Sequence, residues 1–282
     1  MNAIHRVLDP NTRGESARDF CALGIMTKAP RAGEVKTRLV PPLSMEEAAA
    51  LNICFLRDTA AAISAAIQIA KAARKSAYGV AVYTPPGAEE AYTDILPPHF
   101  VLIPQRGGSF GDRLFFAAED LFKCGFDAVC LIDSDSPTVP TATFIHVMEI
   151  LGSSREHIVL GPSDDGGYYL IGLKKPHREM FESIDWSTER VLEQTKGRAK
   201  EIGLEVKLLP PCYDVDDSTA LRHLCNELLG ENSPDAAAPE TSKFLREIID
   251  REGRSRIWPN VAALKATESR KPLAAPSVAT EK

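Results

Sequence analysis

Residues 127–137, DAVCLIDSDSP, decide how the chain is read. A short apolar run, Ala128 to Ile132, ends in two aspartates one residue apart, Asp133 and Asp135. An uninterrupted apolar run of this length, bounded by turn residues, predicts a strand buried on both faces, as at the centre of a parallel sheet. The two carboxylates repel unless something positive sits between them.

Working outward, β-rich runs alternate with helical ones. FCALGIM (20–26) is predicted as the first strand, and Ser44 caps a long helix to about Lys75 with Glu46 and Glu47 in its first turn. YGVAVYT (78–84) and FVLIPQ (100–105) read as strands, and 111–122 as a helix. After 127–133 come a helix over 141–151, strands at 157–162 and 166–173, a helix over 188–202, a strand at 204–210 and a helix over 218–229. The alternation predicts an α/β fold: a mostly parallel twisted sheet with helices on both faces. Ligands of such sheets bind beyond the carboxyl ends of the strands, where Asp133 and Asp135 fall. Residues 1–19 are expected to be an N-terminal tail and 20–229 the domain. Residues 230–282 are expected to be a linker, a short amphipathic helix at 244–251 and a disordered end from 271.

At 282 residues and 44% hydrophobic content, the chain can bury a sizeable core. A net charge of -6 argues against a nucleic-acid binder, which needs a basic face. Six cysteines without a Cys-x-x-Cys pair read as reduced thiols. The first twenty residues lack the apolar core of a secretory signal. Thr59 to Ala73, interrupted by Gln68 and Lys71, reads as a packed helix, too short and too polar to span a bilayer. A cytoplasmic protein is expected, with small-molecule partners and neither nucleic acid nor membrane.

Four segments carry possible chemistry. MTKAPRAGEVKTRL (26–39) follows the first strand and holds Lys28, Arg31, Lys36 and Arg38, which suits an anion-binding loop or a solvated basic one. In Asp133-Ser134-Asp135, extended backbone would point both carboxylates at one hard cation, although paired aspartates also cap helices and shape turns. In GPSDDGGYYLIGL (161–173), Asp164 and Asp165 precede two glycines that allow close approach by a ligand, or simply a hairpin turn. In CYDVDDSTAL (212–221), Asp217 suits a helix N-cap, leaving Asp214 or Asp216 for a metal shell.

Together, K-A-P-x-x-G-x-V-K-T-R-L, D-x-D-x-P, D-G-G-Y-Y-L-I-G-L, the Trp186-Ser187-Thr188 segment and the late D-V-D run resemble the GT-A-fold transferases of the glycosyltransferase-like, selenium-domain-associated group. The likeness runs in order over about residues 20–229. The VKTRLVPPLS loop is similar to that of 2-phospholactate guanylyltransferase, and the layout more distantly resembles molybdenum-cofactor guanylyltransferase. The resemblance implies a nucleotide-diphospho-sugar transferase fold, Rossmann-like. It implies that Lys28, Lys36 and Arg38 hold nucleotide phosphates. Through a looser match in QRGGSFGDRL (105–114) it implies a base or ribose contact by Gly111, Asp112 or Arg113, with Arg113 taken as nucleotide-binding. Asp133 and Asp135, completed by Asp216, would bind Mg²⁺ or Mn²⁺; Gly166, Gly167 and Tyr168 would border the acceptor pocket, with Asp165 catalytic. One departure is Asp217, where relatives often have Thr. The implied activity is transfer of a sugar from a nucleotide-sugar. Nucleotidyl transfer from a nucleoside triphosphate to a phosphorylated small molecule is the alternative, and a non-catalytic nucleotide-binding module the third reading.

Overall fold

In a computed structural model of the chain, residues 5–12, 20–72, 76–230 and 237–257 are described. Seven strands, β1 (Phe20–Lys28), β2 (Ser76–Thr84), β3 (Val101–Pro104), β4 (Ala128–Ile132), β5 (His157–Pro162), β6 (Tyr168–Leu173) and β7 (Glu205–Leu208), form one sheet in the order β3-β2-β1-β4-β6-β5-β7. β6 pairs antiparallel with both neighbours, and every other pairing is parallel. All five residues of β4 are buried, as the apolar run at 128–132 requires.

The described residues form six α-helices: α1 (Met45–Ala72), α2 (Phe110–Lys123), α3 (Thr141–Leu151), α4 (Val191–Glu201), α5 (Ser218–Leu229) and α6 (Pro239–Glu252). Strand alternation divides the core. Leu23, Ile25, Cys130 and Ile132 pack with α1 and α3 on one face. Ala22, Val129, Leu131 and Ile171 pack with α2 and α4 on the other. A third cluster joins the first turns of α1 to α5 and α6 through Leu51, Phe55, Leu221 and Leu245.

Two segments outside 20–229 belong to this packing. Leu8 N donates to Leu102 O at 2.7 Å and Leu102 N to Arg6 O at 2.9 Å, so residues 5–12 cover the otherwise open edge at β3. The helix expected at 244–251 begins earlier, at Pro239, because proline suits the first helical turn. Asp58 of α1 also accepts from the amides of Glu240 and Thr241, both at 2.9 Å. Residues 231–236 and the chain end from 258 lie outside the described residues.

The Ser44 cap is present: Glu47 N donates to Ser44 Oγ at 3.1 Å and Ser44 N to Glu47 Oε2 at 2.8 Å. By length and composition α1 is apolar enough to cross a membrane, contrary to the reading of Thr59–Ala73 alone, because the helix extends back to Met45 through LNICFL. Half of its most apolar window, of mean hydropathy 1.4, is buried within the fold. Its apolarity serves the contacts with β2, α3 and α6.

Candidate active site

The chain turns immediately after β4. Asp133 Oδ1 accepts from Asp135 N at 3.1 Å and Ser136 N at 3.2 Å, while Oδ2 accepts from Ser136 Oγ at 2.8 Å. This is an Asx turn, in which a side chain stands in for backbone. The backbone is therefore a turn here and not an extended segment, and Asp133 organises it with both oxygens. Burial, with Asp135 and Asp214 close by, pushes its carboxyl up to about 8 against the pull of its donors.

The positive charge beside Asp135 is Lys36. Its Nζ lies 2.9 Å from Asp135 Oδ1 and donates to Asp216 Oδ1 at 3.0 Å and Val215 O at 2.8 Å. The side chain is 4% exposed. Burial alone would lower its pKa, but Asp135 and Asp216 more than compensate and hold it above its ordinary value. The backbone of Lys36 is left-handed, with φ of 48°, a conformation costing roughly 1–2 kcal/mol in a residue with a Cβ. Val215 N donates to Asp135 O at 2.9 Å, so the loop after β1, the turn after β4 and the segment before α5 meet at one point. Asp217 caps α5 by accepting from Thr219 N and Ala220 N.

The other predicted cations lie at the rim or beyond it. Arg38 is 76% exposed, 3.8 Å from Asp216 Oδ2. Lys28 Nζ donates to Glu34 O at 3.1 Å. Arg113 lies in the first turn of α2 with its guanidinium over the Phe110 ring, and lines neither cavity described below.

A cavity of about 560 Å³ opens beside this junction. One wall is acidic, formed by Asp133, Asp135, Asp165, Asp214 and Asp216; another is aromatic, formed by Phe110, Tyr168 and Trp186. Trp186 meets Phe110 edge-on at 5.1 Å and Tyr168 at 6.4 Å. Asp165 Oδ1 accepts from Gly167 N at 2.8 Å at the β5–β6 hairpin, and its carboxylate lines the cavity, whereas Asp164 does not. Asp214 accepts from Ser163 Oγ at 2.8 Å; burial, reinforced by the charges of Asp165 and Asp216, raises its pKa despite that bond.

Gly167 and Tyr168 line the cavity, but Gly166 acts beneath it. Its φ is 87°, and a Cβ there would stand 2.3 Å from Glu189 O. Leu192 N donates to Gly166 O at 2.9 Å, so this glycine seats the 186–189 segment against the hairpin. That segment turns through Ser187, whose φ is 64°, and α4 consequently starts at Val191 rather than at Thr188.

A second, smaller cavity of about 260 Å³ adjoins the junction, lined among others by Lys28, Glu34, Lys36, Thr37, Arg38 and Asn52. Arg38, Asp135 and Asp216 border both cavities. Asn52 is 4% exposed and its Oδ1 has no hydrogen-bond partner.

The oxygen-only donors of the expected set suit Mg²⁺ or Mn²⁺ in kind. Their arrangement does not. Asp133 is committed to its turn, Asp135 and Asp216 share the Lys36 ammonium, and no group of three or more His, Cys, Asp or Glu is set to hold a metal ion among the described residues.

Sequence reasoning passed over Ser163, Phe110 and Asn52, and left Asp214 as an alternative to Asp216. The available signal was polarity out of place: a serine ending an apolar strand, and an asparagine on the buried face of an alanine-rich helix.

The comparisons with known proteins agree with this architecture. Residues 68–188 match a family described as an uncharacterized protein conserved in bacteria (DUF2064), a stretch that includes Asp133, Asp135, Asp165 and Trp186 but neither Lys36 nor Asp216. The crystal structure of a candidate nucleotide-diphospho-sugar transferase from Desulfovibrio desulfuricans G20 is similar at a TM-score of 0.70 and 29% identity, covering 83% of this chain and 98% of that one. The fold is that of nucleotide-diphospho-sugar transferases.

More remote is a CMP:2-keto-3-deoxy-manno-octonic acid synthetase complexed with CTP, at a TM-score of 0.44 and 11% identity over 72% of this chain and 96% of that one. The mannosyltransferase PcManGT of Pyrobaculum calidifontis, in complex with GDP-Man and Mn²⁺, has a TM-score of 0.38 and 13% identity over 95% of this chain and 79% of that one. No curated protein matches the chain.

The state of Asp133 has a measurable consequence. Its folded value of about 8 lies above the ordinary 3.8, so between those values the folded chain retains a proton that the unfolded chain has released. The contribution of Asp133 to stability therefore falls as pH rises from about 4 to about 8. Asp133→Asn, which cannot ionise, should flatten this slope in urea unfolding compared between pH of about 5 and about 8. An unchanged slope would show that Asp133 is not the group responsible.

Proposed function

We propose that the protein is a transferase that takes a sugar from a nucleotide-diphosphate sugar and passes it to a small acceptor. The observation that carries this reading is a cavity lined by both carboxylates and aromatic rings, adjoining a smaller one in which Lys28, Lys36 and Arg38 stand among Glu34, Asp135 and Asp216. Ionised carboxylates are pure hydrogen-bond acceptors and match the donating hydroxyls of a sugar, while aromatic rings offer apolar surface to its C–H faces. The 560 Å³ cavity combines both and falls in the usual range for ligand pockets, about 300–1,000 Å³. The smaller cavity, with Lys28 and Arg38 at its rim, suits the diphosphate. The transferase named for the Desulfovibrio structure supports the same donor class.

In this reading the donor spans the junction, with its diphosphate on the Lys28–Arg38 side and its sugar against Asp214 and Trp186. As the bond from the sugar to the diphosphate breaks, negative charge grows on the leaving oxygen, and Arg38 and Lys28 stabilise it. Asp165 stands on the sugar side and takes the proton of the attacking hydroxyl. Lys36, with its three donors engaged, holds the acidic segments together instead of reaching a phosphate. The likeness of the VKTRL loop to guanylyltransferases supports nucleotidyl transfer as the second reading.

Thermal stabilisation by a panel of nucleotides, each with and without magnesium, separates the readings. Nucleotide-diphosphate sugars should raise the midpoint most. A response confined to nucleoside triphosphates would favour nucleotidyl transfer, and no response would leave a module of another kind.

Asp165→Asn should keep donor affinity and lose about a hundredfold to ten-thousandfold in turnover, the usual contribution of a positioned base. Asp164→Asn, outside the cavity, should leave turnover unchanged. The reverse pattern would mean that the acceptor enters elsewhere.

A further inference from the structure

We propose that the Lys36 ammonium permanently takes the place of a divalent cation at this site, so that the chain supplies from its own sequence the positive charge that joins Asp135 to Asp216. An ammonium has three donors and no acceptor. All three of its acceptors are within hydrogen-bond distance: two carboxylate oxygens and the Val215 carbonyl, at 2.8–3.0 Å. A metal ion entering between Asp135 and Asp216 must break all three contacts and leave the ammonium in a nearly dry environment, since the side chain is 4% exposed.

The route of the side chain makes exchange harder still. Lys36 Nζ lies 5.6 Å from the centre of the buried Phe55 ring, so the charge reaches the carboxylates along the protein interior. Its backbone is fixed by the turn that follows it. Leu39 N donates to Lys36 O at 2.9 Å, Leu39 is fully buried, and the left-handed φ at Lys36 is held by the 3-10 turn Thr37–Leu39 that follows. A strained residue that buries a charge on target is placed by the surrounding structure and does not swing freely.

The third expected ligand gives independent support. Asp133 spends its oxygens on two amides and a hydroxyl that shape the turn after β4. Ligation through Asp133 Oδ2 would compete with the Ser136 hydroxyl that helps close the turn presenting Asp135. The Asp-x-Asp pair thus acts as a structural clamp: its first carboxylate folds the turn and its second receives the lysine. This assignment concerns the clamp itself and holds whichever group the enzyme transfers.

The test is Mn²⁺ binding, read by electron paramagnetic resonance and by the thermal midpoint, in the full-length wild type, Asp135→Asn and Lys36→Met. Methionine keeps the apolar stem and removes the charge. The wild type should show no Mn²⁺ site that Asp135→Asn abolishes, and its midpoint should not move with Mn²⁺. Lys36→Met, left with two uncompensated carboxylates, should bind Mn²⁺ and regain midpoint temperature on adding it. An Asp135-dependent Mn²⁺ site in the wild type overturns the proposal. So does a folded Lys36→Met that gains no Mn²⁺. If Lys36→Met does not fold, the comparison of wild type with Asp135→Asn still decides between a lysine clamp and a metal site.

Discussion

The contact of one buried ammonium with Asp135, Asp216 and the Val215 carbonyl holds the rest of the site in place. It joins segments about 180 residues apart in sequence, each leaving a different part of the fold: the loop after β1, the turn after β4 and the approach to α5. Removing one partner of a buried pair leaves an uncompensated charge and typically costs about 3–5 kcal/mol. Asp216 is partly exposed, so the cost at that end is smaller. The acidic wall of the larger cavity is assembled by this contact, since Asp214 and Asp216 flank the buried Val215 whose carbonyl Lys36 holds.

The sheet topology explains why acid gathers here. β1 and β4 run parallel and side by side, so the loops after both open at the same edge. β6 then enters antiparallel between β4 and β5, bringing the β5–β6 hairpin with Asp165 to that edge as well. Cys212 pairs with Ser163 just beyond β7 and carries Asp214 to the same place. Trp186 arrives from the connection between β6 and α4, held by the contact of Gly166 with Glu189. The result is a pocket whose carboxylates and rings face one volume, with cations at its border.

Much of this was legible in the sequence because it depends on local periodicity. The apolar run at 128–132, the alternation of strands with helices, the Ser44 and Asp217 caps and the helix at 141–151 all follow from patterns within a few residues. What was not legible depends on distant partners. α6 starts at Pro239 because Asp58, far away in sequence, accepts its first amides. Residues 5–12 read as a tail because their partner is the edge at Leu102. The basic loop read as either anion-binding or solvated, and in the structure Lys36 is buried and engaged while Arg38 is open. Asp133 looked like a twin of Asp135, but a serine three residues on draws its carboxylate into a turn.

The proposed division of the site into a phosphate side and a sugar side is tested most directly by a crystal structure of the protein with a nucleotide-diphosphate sugar. The diphosphate is predicted beside Lys28 and Arg38, with the sugar between Asp214 and Trp186 and no ion between Asp135 and Asp216. A diphosphate lying among the carboxylates of the larger cavity, bridged to Asp135 by a metal ion with Lys36 displaced, would contradict the account.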